Sequence, residues 1–246
     1  MKIAIDLMGG EGCGEQNLEG CLAYPYAEEL IVIGDIVRLD QQKINALVER
    51  GAQLRSCAAA LTGNETPRAL LKRSHDTSLA IGMQMLADKK ADALVSSADT
   101  KAMMTLGRSF LGTVAGLYRP AIAKAFQGPC GQFYMLDLGA NVHCAPDLLR
   151  QFGRLGSALQ STHQLPAASV TENIGAGHLI PPRVGLLNIG VERGKGTGDI
   201  NRAISLFEQD DCITCIGFIE PSELFSGRAD VIVCDGYTGN LVLKTI

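Results

Sequence analysis

Five stretches of the chain end an apolar run with acidic, amide, hydroxyl or cationic side chains set beside glycine. The first run closes on Asp6 and is followed by the pair Gly9-Gly10. Glycines in such a place let backbone N–H groups come close to an anion, although the same pair also makes an ordinary tight turn. Ser96-Ser97-Ala98-Asp99-Thr100-Lys101 puts hydroxyls and an ammonium where a strand gives way to a helix. Ser97, Thr100 and Lys101 there suit a phosphate, because the unpaired N–H groups and the dipole of a helix N-terminus favour negative charge. Plain N-capping uses the same residue types. In Leu136-Asp137-Leu-Gly-Ala-Asn141, the Asn141 amide can donate to an acyl carbonyl or a phosphate oxygen, and turn chemistry is the competing use. Asn188 to Gly196 carries Arg193 and Lys195 among glycines, a cationic loop suited to gripping phosphate or a phosphopantetheine-type arm, or simply to keeping a surface soluble. Asp235-Gly-Tyr-Thr-Gly-Asn240 repeats the pattern of strand, acid, glycine turn and helix start.

The elements that must position these residues are legible as short β-rich runs: Lys2–Asp6, Leu30–Ile33, Ala93–Ser96, Phe133–Asp137, Val184–Ile189, Thr214–Phe218 and Asp230–Cys234. They are apolar on both faces, as a parallel sheet covered by helices requires. Helix starts lie between them, at Thr66-Pro67, at Pro146-Asp147 and at Thr197 or Asp199. The fold expected is α/β, a doubly wound sandwich with a mostly parallel sheet, in one domain over residues 1–246. Ligand-facing turns in such a sheet gather at the strand C-termini, so the five polar clusters are expected along one crevice. Residues 160–182 show little periodicity and read as a long loop or insertion, either a lid or a plain surface excursion.

Composition excludes several functions. The 246 residues are 46% apolar with a formal charge of −4, enough to form a core and without the basic stripe of a nucleic-acid binder. Asp6 interrupts the first apolar run, so no signal peptide is read, and no stretch approaches the ~18 apolar residues of a membrane span. A cytoplasmic setting follows, in which the eight cysteines stay reduced. Cys212-Ile-Thr-Cys215 has metal-site or redox spacing, but no second pair completes a zinc site, and the structural reading is preferred. No metal and no cofactor is expected.

Taken in order, Ile3-Ala-Ile-Asp-Leu-Met-Gly-Gly10, Arg119-Pro-Ala-Ile-Ala123, Leu136-Asp-Leu-Gly-Ala-Asn-Val142, Arg183-Val-Gly-Leu-Leu-Asn-Ile-Gly190 and Asp235-Gly-Tyr-Thr-Gly-Asn-Leu-Val-Leu-Lys-Thr-Ile246 resemble the phosphate acyltransferases of bacterial phospholipid synthesis, the PlsX family. The resemblance covers essentially the whole chain. It implies transfer of a fatty acyl group from acyl carrier protein to inorganic phosphate, on a fold resembling those of isocitrate and isopropylmalate dehydrogenases and phosphotransacetylases. It further implies a homodimer that associates peripherally with the inner face of the membrane. Phosphate is itself an anionic nucleophile, so the chemistry calls for positioning and oxyanion stabilisation rather than a Ser-His-Asp or Cys-His pair. By matching motifs, Lys195 falls on a family lysine assigned to neutralising phosphate and oxyanion. Asn240 is assigned as donor and Asp235 as the orienter of Lys195 or a partner, with Gly9, Gly10, Ser97, Thr100, Lys101, Asn141 and Arg193 as the phosphate- and substrate-binding set.

Three differences from the family pattern accompany the match. The family's Ser-Ala-Gly-Asn-Thr-Gly-Ala turn is here Ser97-Ala-Asp-Thr-Lys-Ala102, in which Asp99 repels a phosphate and Lys101 opposes that repulsion. The family's Gly-Gly-Asp is Gly9-Gly10-Glu11. Members continue beyond the Lys-Thr-Ile equivalent, so the C-terminal part of the family fold is expected to be absent. A different class of function stands beside the enzyme on these grounds, a non-catalytic or truncated paralogue that binds carrier protein or phosphate without turnover. A small-acyl phosphotransacetylase or a metal-dependent dehydrogenase of similar fold is a third reading; the dehydrogenase lacks an aspartate cluster for its metal.

Overall fold

The computed structural model describes residues 1–11, 14–73, 76–164 and 180–246. The chain forms two compact units, Met1–Thr113 and Val114–Ile246, each with its own sheet. The nine strands among the described residues therefore divide between two sheets where the sequence suggests one.

In the first unit β1 (Ile3–Asp6), β2 (Leu30–Gly34), β3 (Gln53–Ser56) and β4 (Ala93–Ser96) form a wholly parallel sheet in the order β3-β2-β1-β4. β2 is buried at all of its positions because helices cover both its faces. On one side Leu7, Leu18, Val32, Ile44 and Leu47 pack between the sheet and helices α1 (Glu15–Ala23) and α2 (Gln41–Glu49). On the other, Ala4, Ile31 and Ile33 meet Met85 of a later helix, α4 (Ser78–Ala87). The intervening α3 (Pro67–Arg73) begins at Thr66-Pro67 as expected, and α5 (Thr100–Leu111) completes the unit. Each such Leu or Ile contributes about 1.5–3 kcal/mol on full burial, which fixes the register that carries Asp6 and Ser96 to the same end of the sheet.

The second unit arranges β5 (Ala123–Gly128), β6 (Gly131–Leu136), β7 (Arg183–Leu187), β8 (Thr214–Ile219) and β9 (Val231–Val233) in the order β5-β6-β9-β7-β8. All neighbours are parallel except the β5–β6 hairpin. Phe152 of α6 (Pro146–Gln164) and Phe207 of α7 (Gly198–Glu208), both fully buried, pack with Leu136, Val184, Val231 and Val233 on one face. Val242 and Leu243 of α8 (Gly236–Thr245) meet Met135, Leu187, Ile219 and Ile232 on the other. Of the expected loop at 160–182, residues 160–164 belong instead to the end of α6 and 180–182 lead into β7; the rest, with the suggested lid, lies outside the described residues. No helix among the described residues is long and apolar enough to cross a membrane.

Candidate functional site

In the first unit the polar turns leave the C-terminal ends of parallel β1, β3 and β4, the edge at which open α/β sheets bind ligands. Asp6 ends β1 with its carboxylate buried. Oδ1 accepts from Ser78 Oγ at 2.5 Å and Met8 N at 3.1 Å, and Oδ2 accepts from Ser96 Oγ at 2.6 Å. One carboxylate thus joins the ends of β1 and β4 to the start of α4. The glycine turn that follows is pressed against the next loop: a Cβ at Gly9 would lie 2.7 Å from Ala98 N, and one at Gly10, where φ is +81°, 2.9 Å from Ser97 O. Ser97 Oγ donates to Gly9 O at 2.7 Å, and Asn17 Nδ2 reaches Leu7 O, Gly9 O and Ser97 Oγ at 2.8, 3.1 and 3.2 Å. Asp99 caps α5 by accepting from Ala102 N at 3.0 Å. Thr100 and Lys101 follow on its first turn, exposed. A cavity of 500 Å³ opens here, lined by Gly9, Gly10, Ser97 and Asp99 and faced by the loop Leu61–Asn64. The structure thus brings Gly9, Gly10 and Ser97 together and leaves Thr100 and Lys101 outside the lining.

In the second unit β6, β9 and β7 are adjacent and parallel, so the turns after them leave the same edge. Asp137 is fully buried beyond β6 and its carboxylate accepts five hydrogen bonds. Oδ1 takes the N–H groups of Ile122, Gly139 and Ala140 at 3.0, 3.2 and 3.0 Å, and Oδ2 takes the backbone and amide nitrogens of Asn141 at 2.7 and 2.9 Å. Asn141 Nδ2 also donates to Pro120 O at 2.9 Å, so its amide is committed within the protein. α8 begins against this turn. Gly236 N donates to Asn141 O at 2.8 Å, and a Cβ at Gly239 would overlap the Asp137 carbonyl, which is why the motif needs glycine there. Asp235 is the N-cap of α8, its Oδ1 accepting from Thr238 N at 2.7 Å. Asn240 lies one turn on, exposed, with its amide over Gly139 and no hydrogen bond to it among the described residues.

The cationic loop after β7 is organised by Asn188, whose Nδ2 donates to Gly190 O and Lys195 O at 3.0 and 3.2 Å. Its cations are paired locally: Lys195 with Glu192 at 3.0 Å and Arg193 with Glu208 at 2.5 Å. The hydrogen bond from Lys195 holds the Glu192 carboxyl below its ordinary range. Asp235 serves as a helix cap rather than as the ion-pair partner of Lys195, because its carboxylate is aligned with the first turn of α8.

The thiols beside the Asp137 turn are unsuited to nucleophilic work. Burial pushes Cys144 up to about 12 and Cys234 well above its usual value, so both stay protonated. Cys212 and Cys215 are free, one exposed and one half-buried.

Sequence reasoning passed over Asn17, Thr62, Asn64 and Ser78, and treated Asp6 and Asp137 only as members of turns. For Asp137 a signal existed, since Asp-Leu-Gly-Ala-Asn is an Asx-type turn folded onto its own N–H groups. Ser78 offers none, being 72 residues from the carboxylate it binds.

A parallel α/β unit with acid–glycine turns at the strand ends is a fold shared with phosphotransacylases. The branched-chain phosphotransacylase from Enterococcus faecalis V583 superposes with a TM-score of 0.63 at 14% identity, covering 100% of this chain and 83% of that one. The EutD phosphotransacetylase from Staphylococcus aureus does so with 0.59 at 18% identity, covering 99% and 80%. The relationship in sequence is narrower: the fatty acid synthesis protein family matches residues 1–246. The phosphate acyltransferase of Pseudomonas fluorescens is 35% identical over 248 residues, 99% of this chain and 70% of that protein. That of Halothermothrix orenii is 35% identical over 251 residues, 100% of this chain and 71% of its own length. The chain belongs to the phosphate acyltransferase family.

Proposed function

We propose that this chain transfers a fatty acyl group from the thioester of acyl carrier protein to inorganic phosphate, yielding acyl phosphate for phospholipid synthesis and free carrier protein. The observation that carries this reading is the 35% identity to a phosphate acyltransferase over 99% of the chain. A phosphate oxygen attacks the thioester carbon, the tetrahedral oxyanion collapses with cleavage of the C–S bond, and the released thiolate takes up a proton. Lys195 neutralises phosphate and oxyanion after exchanging Glu192 for substrate, and Arg193 does the same across from Glu208. Asn240, with its amide unspent beside Gly139, donates to the oxyanion, while Asp235 keeps α8 wound so that Asn240 stays in place. Within the first unit Gly9, Gly10, Ser97, Thr100 and Lys101 are assigned to binding substrate, and within the second Asn141 serves through its hold on the Asp137 turn.

The test is release of free carrier protein from long-chain acyl carrier protein with and without phosphate. Lys195→Ala should lower the phosphate-dependent rate by roughly 100-fold or more while the protein stays folded. Absence of any phosphate-dependent release from folded protein that still binds the carrier would sink the transferase and leave the non-catalytic binder. Homodimerisation and peripheral membrane association belong to the same proposal. Tyr237 and Leu241, 65% and 58% exposed on one face of α8, support a covered apolar surface there; sedimentation and flotation with anionic vesicles test the two.

A further inference from the structure

The 500 Å³ cavity of the first unit matches phosphate poorly in size, charge and hydrogen-bonding sense. It falls within the ~300–1,000 Å³ range of pockets that enclose a ligand of many atoms, and a tetrahedral oxyanion would leave most of it to water. Among the described residues its lining holds two carboxylates, Glu11 and Asp99, and no Lys, Arg or His. An anion would meet repulsion there.

The hydroxyls sharpen the point. Thr62 Oγ1 donates to Glu65 Oε1 at 2.8 Å, and Ser97 Oγ donates to Gly9 O at 2.7 Å. With their protons committed, both hydroxyls can only accept from a ligand, as the carboxylates do, Ser97 Oγ through the lone pair left over after Asn17 Nδ2 takes the other at 3.2 Å. Phosphate offers chiefly acceptors, whereas the side chains of this lining, Asn64 apart, ask for a ligand with N–H donors. Asn64, exposed on the same wall, supplies both an amide donor and an acceptor, and Leu61 adds an apolar surface. The wall is fixed before any ligand arrives, since Glu65 Oε1 also accepts from Thr62 N at 2.7 Å.

We propose that this cavity receives the amide-bearing pantetheine arm of the acyl thioester, not the phosphate, with Thr62, Asn64 and Ser97 accepting from its N–H groups. The assignment rests on the transferase reading for the identity of the arm. The arm is neutral, extended and carries secondary amides and methylene segments, matching an acceptor-rich pocket with an apolar patch.

The experiment is direct binding of S-acetylpantetheine to the full chain by titration calorimetry, beside steady-state kinetics with phosphate as the varied substrate. Thr62→Val removes the hydroxyl lone pairs while keeping the side-chain shape, and Asn64→Ala removes the amide from an exposed position. Each should weaken S-acetylpantetheine by about five-fold, the worth of one hydrogen bond, and leave the KM for phosphate unchanged. The proposal is overturned if both variants bind S-acetylpantetheine as wild type does, or if the phosphate KM rises while thioester binding stays the same. Failure of the transferase reading shows separately: binding that drops in both variants, without phosphate-dependent release from acyl carrier protein, keeps the cavity assignment and removes the reaction.

Discussion

Each unit buries one aspartate at the end of a strand, and the two are satisfied in opposite ways. Asp137 accepts four backbone N–H groups and one amide, most of them from the four residues that follow it. Asp6 accepts two hydroxyls brought from 72 and 90 residues away, together with one local N–H. A backbone N–H is fixed by the path of the chain and has no other use inside a protein, whereas a hydroxyl can rotate and can accept as well as donate. The second unit's turn is therefore rigid by construction, and the first unit's is held by side chains that could rearrange.

Replacing Asp137 should have the largest effect. Asp137→Ala orphans four N–H groups, that of Asn141 buried and those of Ile122, Gly139 and Ala140 partly buried, at up to about 1–3 kcal/mol each, a large part of the stability of a domain. Asp137→Asn should be nearly as harmful, because its NH₂ would face donors that cannot turn round. Denaturant unfolding of soluble protein, or its failure to accumulate, gives the measurement. A loss under about 2 kcal/mol for either variant would mean that the N–H groups find other partners.

Asp6 should break more gently. Asp6→Ala is expected to cost about 2–3 kcal/mol, and Asp6→Asn only about 1 kcal/mol, since Ser78 or Ser96 can reverse its hydroxyl to accept from the new amide. The contrast between the two Asp→Asn variants is sharper than either value. Equal losses at the two sites would erase the distinction between hydroxyl and backbone partners.

That distinction also decides what could be read from the sequence. All seven apolar runs became strands: β2, β7 and β9, buried at most or all of their positions, leave a continuous apolar signature, while β4 keeps an apolar run at a sheet edge with no position fully buried. β3 and β5 went unread: both lie at sheet edges, and most of their side chains are exposed, so pairing on one side by backbone alone holds them. The Asp137 turn was visible because its partners are neighbours in sequence. The Asp6 cluster, the Leu61–Asn64 wall and the Arg193–Glu208 pair depend on distances that only the folded chain sets.

A third buried acid, Asp210, takes its hydrogen bonds from charged groups and extends the comparison to pH. Burial alone would raise its carboxyl, yet Arg154 at 2.6 Å, the Cys212 N–H at 3.0 Å and Arg150 at 3.1 Å hold it below the ordinary range. The sign follows: the stabilisation is complete above the unfolded-state value of about 3.9 and is lost as pH falls through the lower folded value. Asp210→Asn should cost about 2 kcal/mol at neutral pH. Its stability should also fall less steeply than that of wild type below pH about 4; parallel acid unfolding curves would show that Asp210 carries none of that dependence.

The smallest expected effects compare the glycine turns of the two units. Gly10 and Gly194 both take positive φ, +81° and +92°, so alanine at either is strained. They differ in what surrounds them. A Cβ at Gly194 meets nothing within 4 Å, while one at Gly10 falls 2.9 Å from both the carbonyl and the hydroxyl of Ser97. Gly194→Ala should therefore cost only the conformational strain, about 1 kcal/mol, and Gly10→Ala about 2 kcal/mol because the Ser97 backbone must also shift. That shift would move a wall of the 500 Å³ cavity, so Gly10→Ala should weaken S-acetylpantetheine as well as lower the melting temperature. Loosened stability with unchanged thioester binding would separate the glycine turn from the cavity it borders.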